Sequence, residues 1–177
     1  MYQSQILLYI LGFIIFKQHQ KKVEMDELNQ LISDLESKIA HYETVNLQAS
    51  TGSVGWHIEH SLKTIDQIVT ACKNSNPEVY KWQFNFKRFL IVDVLNIIPR
   101  GKVKAPKLVR PEGEISKESI ELSLKNLKDN LKDWNLLHKN VFFKHPFFDD
   151  LNKKATEKFL VLHTKHHFKI IKDIVKS

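Results

Sequence analysis

An all-α fold is predicted for this chain of 177 residues: a four-helix up-and-down bundle with one long crossover loop. Three observations predict it. Apolar residues recur at three- and four-residue steps in several long segments. Serine stands just before two of those segments, where a helix needs an oxygen for its free amides. One connection, Pro99 to Ile115, holds three of the five prolines and two of the five glycines. The length suits one domain with a real core. That domain is placed at residues 24–177, behind an N-terminal extension of residues 1–23.

The first helix is expected from Glu24 to Tyr42, because Met25, Leu28, Leu31, Ile32, Leu35 and Ile39 share one face. A Ser-, Thr- and Gly-rich loop, residues 49–53, follows. Ser53 is the predicted N-cap of a second helix that runs to about Lys73, with Val54, Ile58, Leu62, Ile65, Val69 and Cys72 on its stripe. Asn74 to Pro77 breaks it, and Pro77 can open a new helix. Val79 to Ile98 is dense in aromatics and alternates in part. The reading is a buried helix from about Phe84, continued by Phe89, Val92 and Leu95. The connection from Pro99 then carries Arg100, Lys102, Lys104, Lys107 and Arg110. Ser116 caps an amphipathic helix whose Ile120, Leu124, Leu127, Leu131 and Trp134 keep a 4-3-4-3 step. Lys139 to Pro146 reads as a turn region, and a last helix is expected from Phe148 to Val175. There is no internal repeat, no low-complexity tract and no glycine-rich phosphate loop.

The formal charge of +7 favours anionic partners in principle. Its simpler reading is surplus Lys on solvated helix faces. Nucleic-acid binding through the Pro99–Arg110 loop is not expected, since the aromatics are not interleaved with the Lys residues as stacking platforms. The single cysteine, Cys72, allows no internal disulfide and sits on an apolar stripe. It reads as a small core residue in a reducing, cytoplasmic setting. Ile6 to Phe16 is continuously apolar and Lys17, Lys21 and Lys22 follow it. Eleven residues fall short of the roughly 20 that span a bilayer, and there is no positive leader region or cleavage site. This run is read as a segment packed on the domain or preceding it. The alternative is membrane association through residues 6–16.

The chemistry lies in the histidines. Five of the nine form two groups: His57 and His60, then His163, His166 and His167. The step from His163 to His167 sets two imidazoles one helical turn apart on one face, the spacing a shared divalent ion needs. All three late histidines fall within the apolar stripe of the last helix. Buried imidazoles need polar partners, and a metal satisfies two at once. In the second helix, periodicity slightly favours His57 as the inward residue, while His60 lies beside Thr64 on a wall of small residues. The geometry leaves that choice open. Three His ligands leave a coordination position free, which is the catalytic pattern. No general base stands out: Glu59 projects about 100° from its neighbours. His145 before Pro146 reads as a turn device, with a pocket-facing ring as the alternative.

Two motifs resemble the DinB/YfiT-like superfamily of metal-dependent four-helix bundles. Ser53-Val-Gly-Trp-His57-Ile-Glu-His60 resembles its second-helix opening, with a histidine seven residues after the Ser. Leu162-His163-Thr-Lys-His166-His167-Phe resembles its H-x-x-x-H pair. Pro99-Arg-Gly101, Ala105-Pro106 and His145-Pro-Phe-Phe148, in this order, are similar to the branch known as domain of unknown function fifteen sixty-nine. The resemblance spans about Met25 to Lys176. It implies His60, His163 and His167 as ligands of zinc, nickel or iron. It also implies a small-molecule substrate, a low-molecular-weight thiol among the candidates, with transfer or hydrolysis as the reaction. A homodimer is one assembly open to the chain. The competing expectation is a non-catalytic metal-binding or structural protein. Two positions depart from the pattern: Ile170 replaces a Gln three residues after the last ligand, and Asp149 replaces a Gly after His-Pro-x-Phe.

Overall fold

The structure, a computed structural model, describes residues 24–101 and 106–176. The expectations for residues 1–23, and those for Lys102, Lys104 and Ala105, lie outside the described residues. The described part is mostly helical. Helix α1 covers residues 24–36 and α2 covers Val54–Lys73. A short helical element α3, Phe86–Arg88, runs on as a π-helix, Phe89–Leu95. Helix α4 is Lys117–Leu131, and α5 is Lys153–Val175. Strands β1 (Phe142–His145) and β2 (Asp149–Asn152) form an antiparallel hairpin in which Phe143 pairs with Leu151. No described helix is long and apolar enough to cross a membrane.

Helix α2 is the centre of the packing, with α4 and α5 against it. Leu28, Ile32 and Leu35 of α1 join Ile58, Leu62 and Ile65 of α2, Ile120 and Leu127 of α4, and Ile171 and Ile174 of α5 in one core. Salt bridges Lys128–Glu36 and Lys165–Glu27 tie α1 to α4 and α5. The caps are where the sequence places them. Ser53 accepts from Trp56 N at 3.1 Å. Ser116 and Ser119 cap α4 reciprocally, each side chain accepting the other's backbone N–H at 3.1 Å.

Four elements differ from the sequence reading. Helix α1 stops at residue 36, and Ile39–His41 is a separate 3-10 turn. Pro77 opens only the 3-10 turn Pro77–Val79, capped by Asn76. The helix after Phe84 begins at Phe86, and Val92 is its one buried residue, so it is no buried helix. The fourth difference is the hairpin, which replaces a plain turn and the expected start of the last helix. Phe143, Phe148 and Leu151 are buried on it. Asn152 then caps α5 by accepting from Ala155 N at 3.0 Å. Two four-residue strands are marginal alone, and their apolar contacts with the body hold them.

Asp149 stands at a backbone position that suits glycine. Its φ is +58°, in the left-handed region. Asp tolerates that region better than most residues, and Asn85 Nδ2 donates to its carboxylate at 2.7 Å.

Candidate metal centre

Two helices and one loop build the site. Helix α2, started by the Ser53 cap, brings His57 and His60 inward together; they are 4% and 3% exposed. The choice that periodicity leaves open is resolved by both rings being buried. The first turns of α2 are covered by α5 and by the crossover, so a wide arc of that helix is buried. Helix α5 brings His163, half-buried, and His167, 8% exposed, one turn apart. His60, His163 and His167 each offer a nitrogen, and these nitrogens lie within 4.8 Å of one another. The ring centroids are 4.6 Å apart for His60–His167 and His163–His167, and 5.2 Å for His60–His163.

His166 does not join the cluster. Its ring stands edge-on to His167 at 5.1 Å and bonds the backbone of Ile98. His57 does not join it either, but stands directly behind. Its Nδ1 is 2.9 Å from Nδ1 of His167, and its Nε2 is 2.9 Å from Ser50 Oγ. Ser50 Oγ also accepts from Gly52 N at 3.1 Å.

These contacts fix which ring atoms are free. His60 Nδ1 lies 2.8 Å from the Val109 carbonyl. A carbonyl only accepts, so His60 donates from Nδ1 and its Nε2 keeps a lone pair. The His57–His167 contact needs one donor and one acceptor. When His167 donates, its Nε2 keeps a lone pair, and His57 in turn donates from Nε2 to Ser50. Reversing the chain puts a proton on His167 Nε2. His163 differs from both: its Nδ1 is buried and has no hydrogen-bond partner.

Burial keeps the whole group uncharged. It pushes His163 and His167 well below the usual imidazole range, with the surrounding histidines adding repulsion. It lowers His57 to about 4 and lowers His60, where the Val109 carbonyl opposes it. Neutral imidazole is the form that ligates metals.

Two neighbours escape a motif-based reading. Trp56 stacks on His60 at 5.0 Å and meets His57 edge-on at 5.1 Å. Its place between Gly55 and His57 is the only hint the sequence holds. Val109 contributes a backbone atom, for which no side-chain pattern exists. His145 serves the turn, since its Nδ1 accepts from Phe147 N at 3.1 Å. Its ring also stacks on Phe148 at 4.4 Å and meets Phe159 edge-on at 4.7 Å. Phe159 is 5.7 Å from His163, so an aromatic wall reaches the cluster. Glu59 Oε1 accepts from Ser123 of α4 at 2.8 Å, while its buried Oε2 has no hydrogen-bond partner. Cys72 is buried and 3.8 Å from Thr156 Oγ1, and burial lifts its thiol to about 11, which suits a core residue.

No protein-family model, no curated protein and no solved structure matches this chain.

Proposed function

We propose that the chain is a divalent-metal-dependent enzyme whose ion is held by His60, His163 and His167. We read the helices as a four-helix up-and-down bundle of the DinB/YfiT-like kind, on the motifs quoted above. One observation carries the reading: three imidazoles from two distant segments present nitrogens within 4.8 Å of one another. Their surroundings fit a ligand role. His60 is oriented by the Val109 carbonyl and His167 by His57, the arrangement that fixes tautomer and ring direction in metal sites. His163 Nδ1 is a buried nitrogen still lacking a partner. Two nitrogens at about 2.1 Å from one ion span at most about 4.2 Å, so binding would draw the rings slightly together.

When bound, a divalent ion with three His ligands keeps a position open and lowers the pKa of a thiol or water there. The chain's own residues supply the rest. Trp56 and the Phe159–His145–Phe148 wall would exclude water and hold the apolar part of a small substrate. The reaction class is thiol-dependent transfer or a related hydrolysis, and zinc, nickel and iron all suit imidazole ligands.

The test is metal content after equilibration with each ion. The wild type is expected to hold about one equivalent per chain. His60→Ala and His163→Ala are expected to lose it, and His166→Ala to keep it. A wild type that binds none of the three ions, or alanine variants that bind as well as the wild type, would end the metal reading. Turnover with low-molecular-weight thiols and electrophiles then separates an enzyme from a non-catalytic metal protein.

A further inference from the structure

The aromatic segment between α2 and the crossover has no role in the histidine site, and its side chains face outward. Trp82, Phe84 and Phe86 are 66%, 63% and 64% exposed. Phe89, Val94 and Leu95 are exposed as well. Single exposed apolar residues need no explanation, but this many large ones within one short segment, with the Phe84 and Phe89 rings 6.1 Å apart, mark an interaction surface.

The patch is held in place from behind. Asn85 caps the helix by accepting from Arg88 N at 2.9 Å and donates to Asp149 at 2.7 Å. Arg88 donates to the Gln83 carbonyl at 2.7 Å. Lys158 of α5 pairs with Asp93 at 2.7 Å, and Val92 is buried in the core. The inner side is therefore bonded to the domain while the outer side is apolar.

The charges around the patch indicate the partner. Lys81 and Lys87 are exposed among the aromatics. Asp93 is the one acid from Tyr80 to Gly101 and Lys158 engages it, while Asp149 of the hairpin accepts from Asn85. Exposed Trp and Phe with two exposed lysines among them suit an anionic lipid surface, where aromatic rings settle at head-group depth and lysines meet the lipid charge. A second copy of the chain docked on this face would set the same cations against each other. The run Ile6–Phe16 with Lys17, Lys21 and Lys22 has the same apolar-then-basic composition.

We propose that the exposed aromatic segment around Phe84 and Phe86, with Lys81 and Lys87, docks the protein on anionic lipid membranes. This does not depend on the metal reading.

The test is flotation of the full chain with phosphatidylcholine vesicles, with and without about one third phosphatidylserine. Binding to the anionic vesicles is expected, weakening as salt rises, with blue-shifted Trp82 emission that Trp82→Phe removes. Phe84→Ser/Phe86→Ser is expected to weaken binding roughly tenfold or more. Both side chains are exposed, so the thermal midpoint should hold. Lys81→Glu/Lys87→Glu should weaken binding to the anionic vesicles alone, and Ile10→Asp/Ile14→Asp should still bind. Three results would overturn the proposal. The wild type fails to float. The loss falls only on Ile10→Asp/Ile14→Asp, which assigns binding to the N-terminal run. Or Phe84→Ser/Phe86→Ser turns a dimer into a monomer and floats as before, which assigns the face to a second copy.

Discussion

At the residue scale the decisive contact is between two nitrogens, His57 Nδ1 and His167 Nδ1, 2.9 Å apart. One must donate, and the direction decides whether His167 has a lone pair to offer at Nε2. With Ser50 at the far end, both directions keep the His57–His167 and His57–Ser50 bonds. Metal binding would select the one in which His167 donates. His57→Phe keeps the ring volume and removes the acceptor, so the His167 N–H loses its partner in a buried place. The expected result is a roughly 10- to 100-fold loss of metal affinity in a chelator competition. Nitrogen chemical shifts of the His57 ring should report a proton on Nε2 in the metal-loaded protein. Unchanged affinity in His57→Phe would show that His167 needs no support from behind.

At the scale of elements, the start of α2 depends on a close approach that explains the Ser-Val-Gly opening. Gly55 N donates to the Tyr42 carbonyl at 2.8 Å. A Cβ on Gly55 would lie 2.9 Å from that carbonyl oxygen and 3.2 Å from Ile115 Cγ2. Alanine in a helix ordinarily gains about 1 kcal/mol over glycine. Here the clash with backbone outweighs that, and Gly55→Ala is expected to cost about 1–3 kcal/mol in urea denaturation. A stabilised Gly55→Ala would mean that the loop before α2 yields freely. The hairpin teaches the opposite lesson about legibility. Phe142-Phe-Lys-His145 is too short to establish a period of two, and the following Pro146 looks like a plain turn. The strands exist because Phe143 and Leu151 find the core, and that contact is not local.

At the scale of the whole molecule, burial of so many imidazoles ties folding to pH. His57 and His145 ionise at about 4 when folded, against an ordinary 6.5. Between those values the unfolded chain binds protons that the folded chain does not. Stability therefore falls as pH drops from about 6.5 towards 4, and these groups leave it flat above about 7. For His57, which is almost wholly buried, the full span corresponds to about 3 kcal/mol. The urea midpoint of the metal-free protein is expected to fall between pH 7 and pH 5. His145→Phe, whose ring can keep the Phe148 and Phe159 contacts, should give a shallower fall. A midpoint independent of pH over that range would contradict the burial of the group. Protons compete with a metal for the nitrogens of His60, His163 and His167, so a bound metal should be lost as pH falls.

The sequence by itself determined the helical class, the caps at Ser53 and Ser116, the Lys73 end of α2 and the apolar stripes that build the core. Those follow from local spacing, which the chain states directly. It also named His60, His163 and His167 as the residues to watch, through a four-residue step and a resemblance of motifs. Only the tertiary structure decided that His57 and His60 are both buried, that His166 turns to the backbone of Ile98, and that Val109 reaches His60 with a backbone oxygen. It also decided that the aromatic stretch faces outward. Periodicity reports which side of one helix is apolar. It is silent about what other elements lie over that helix, and burial and hydrogen bonding between distant segments are set by that covering.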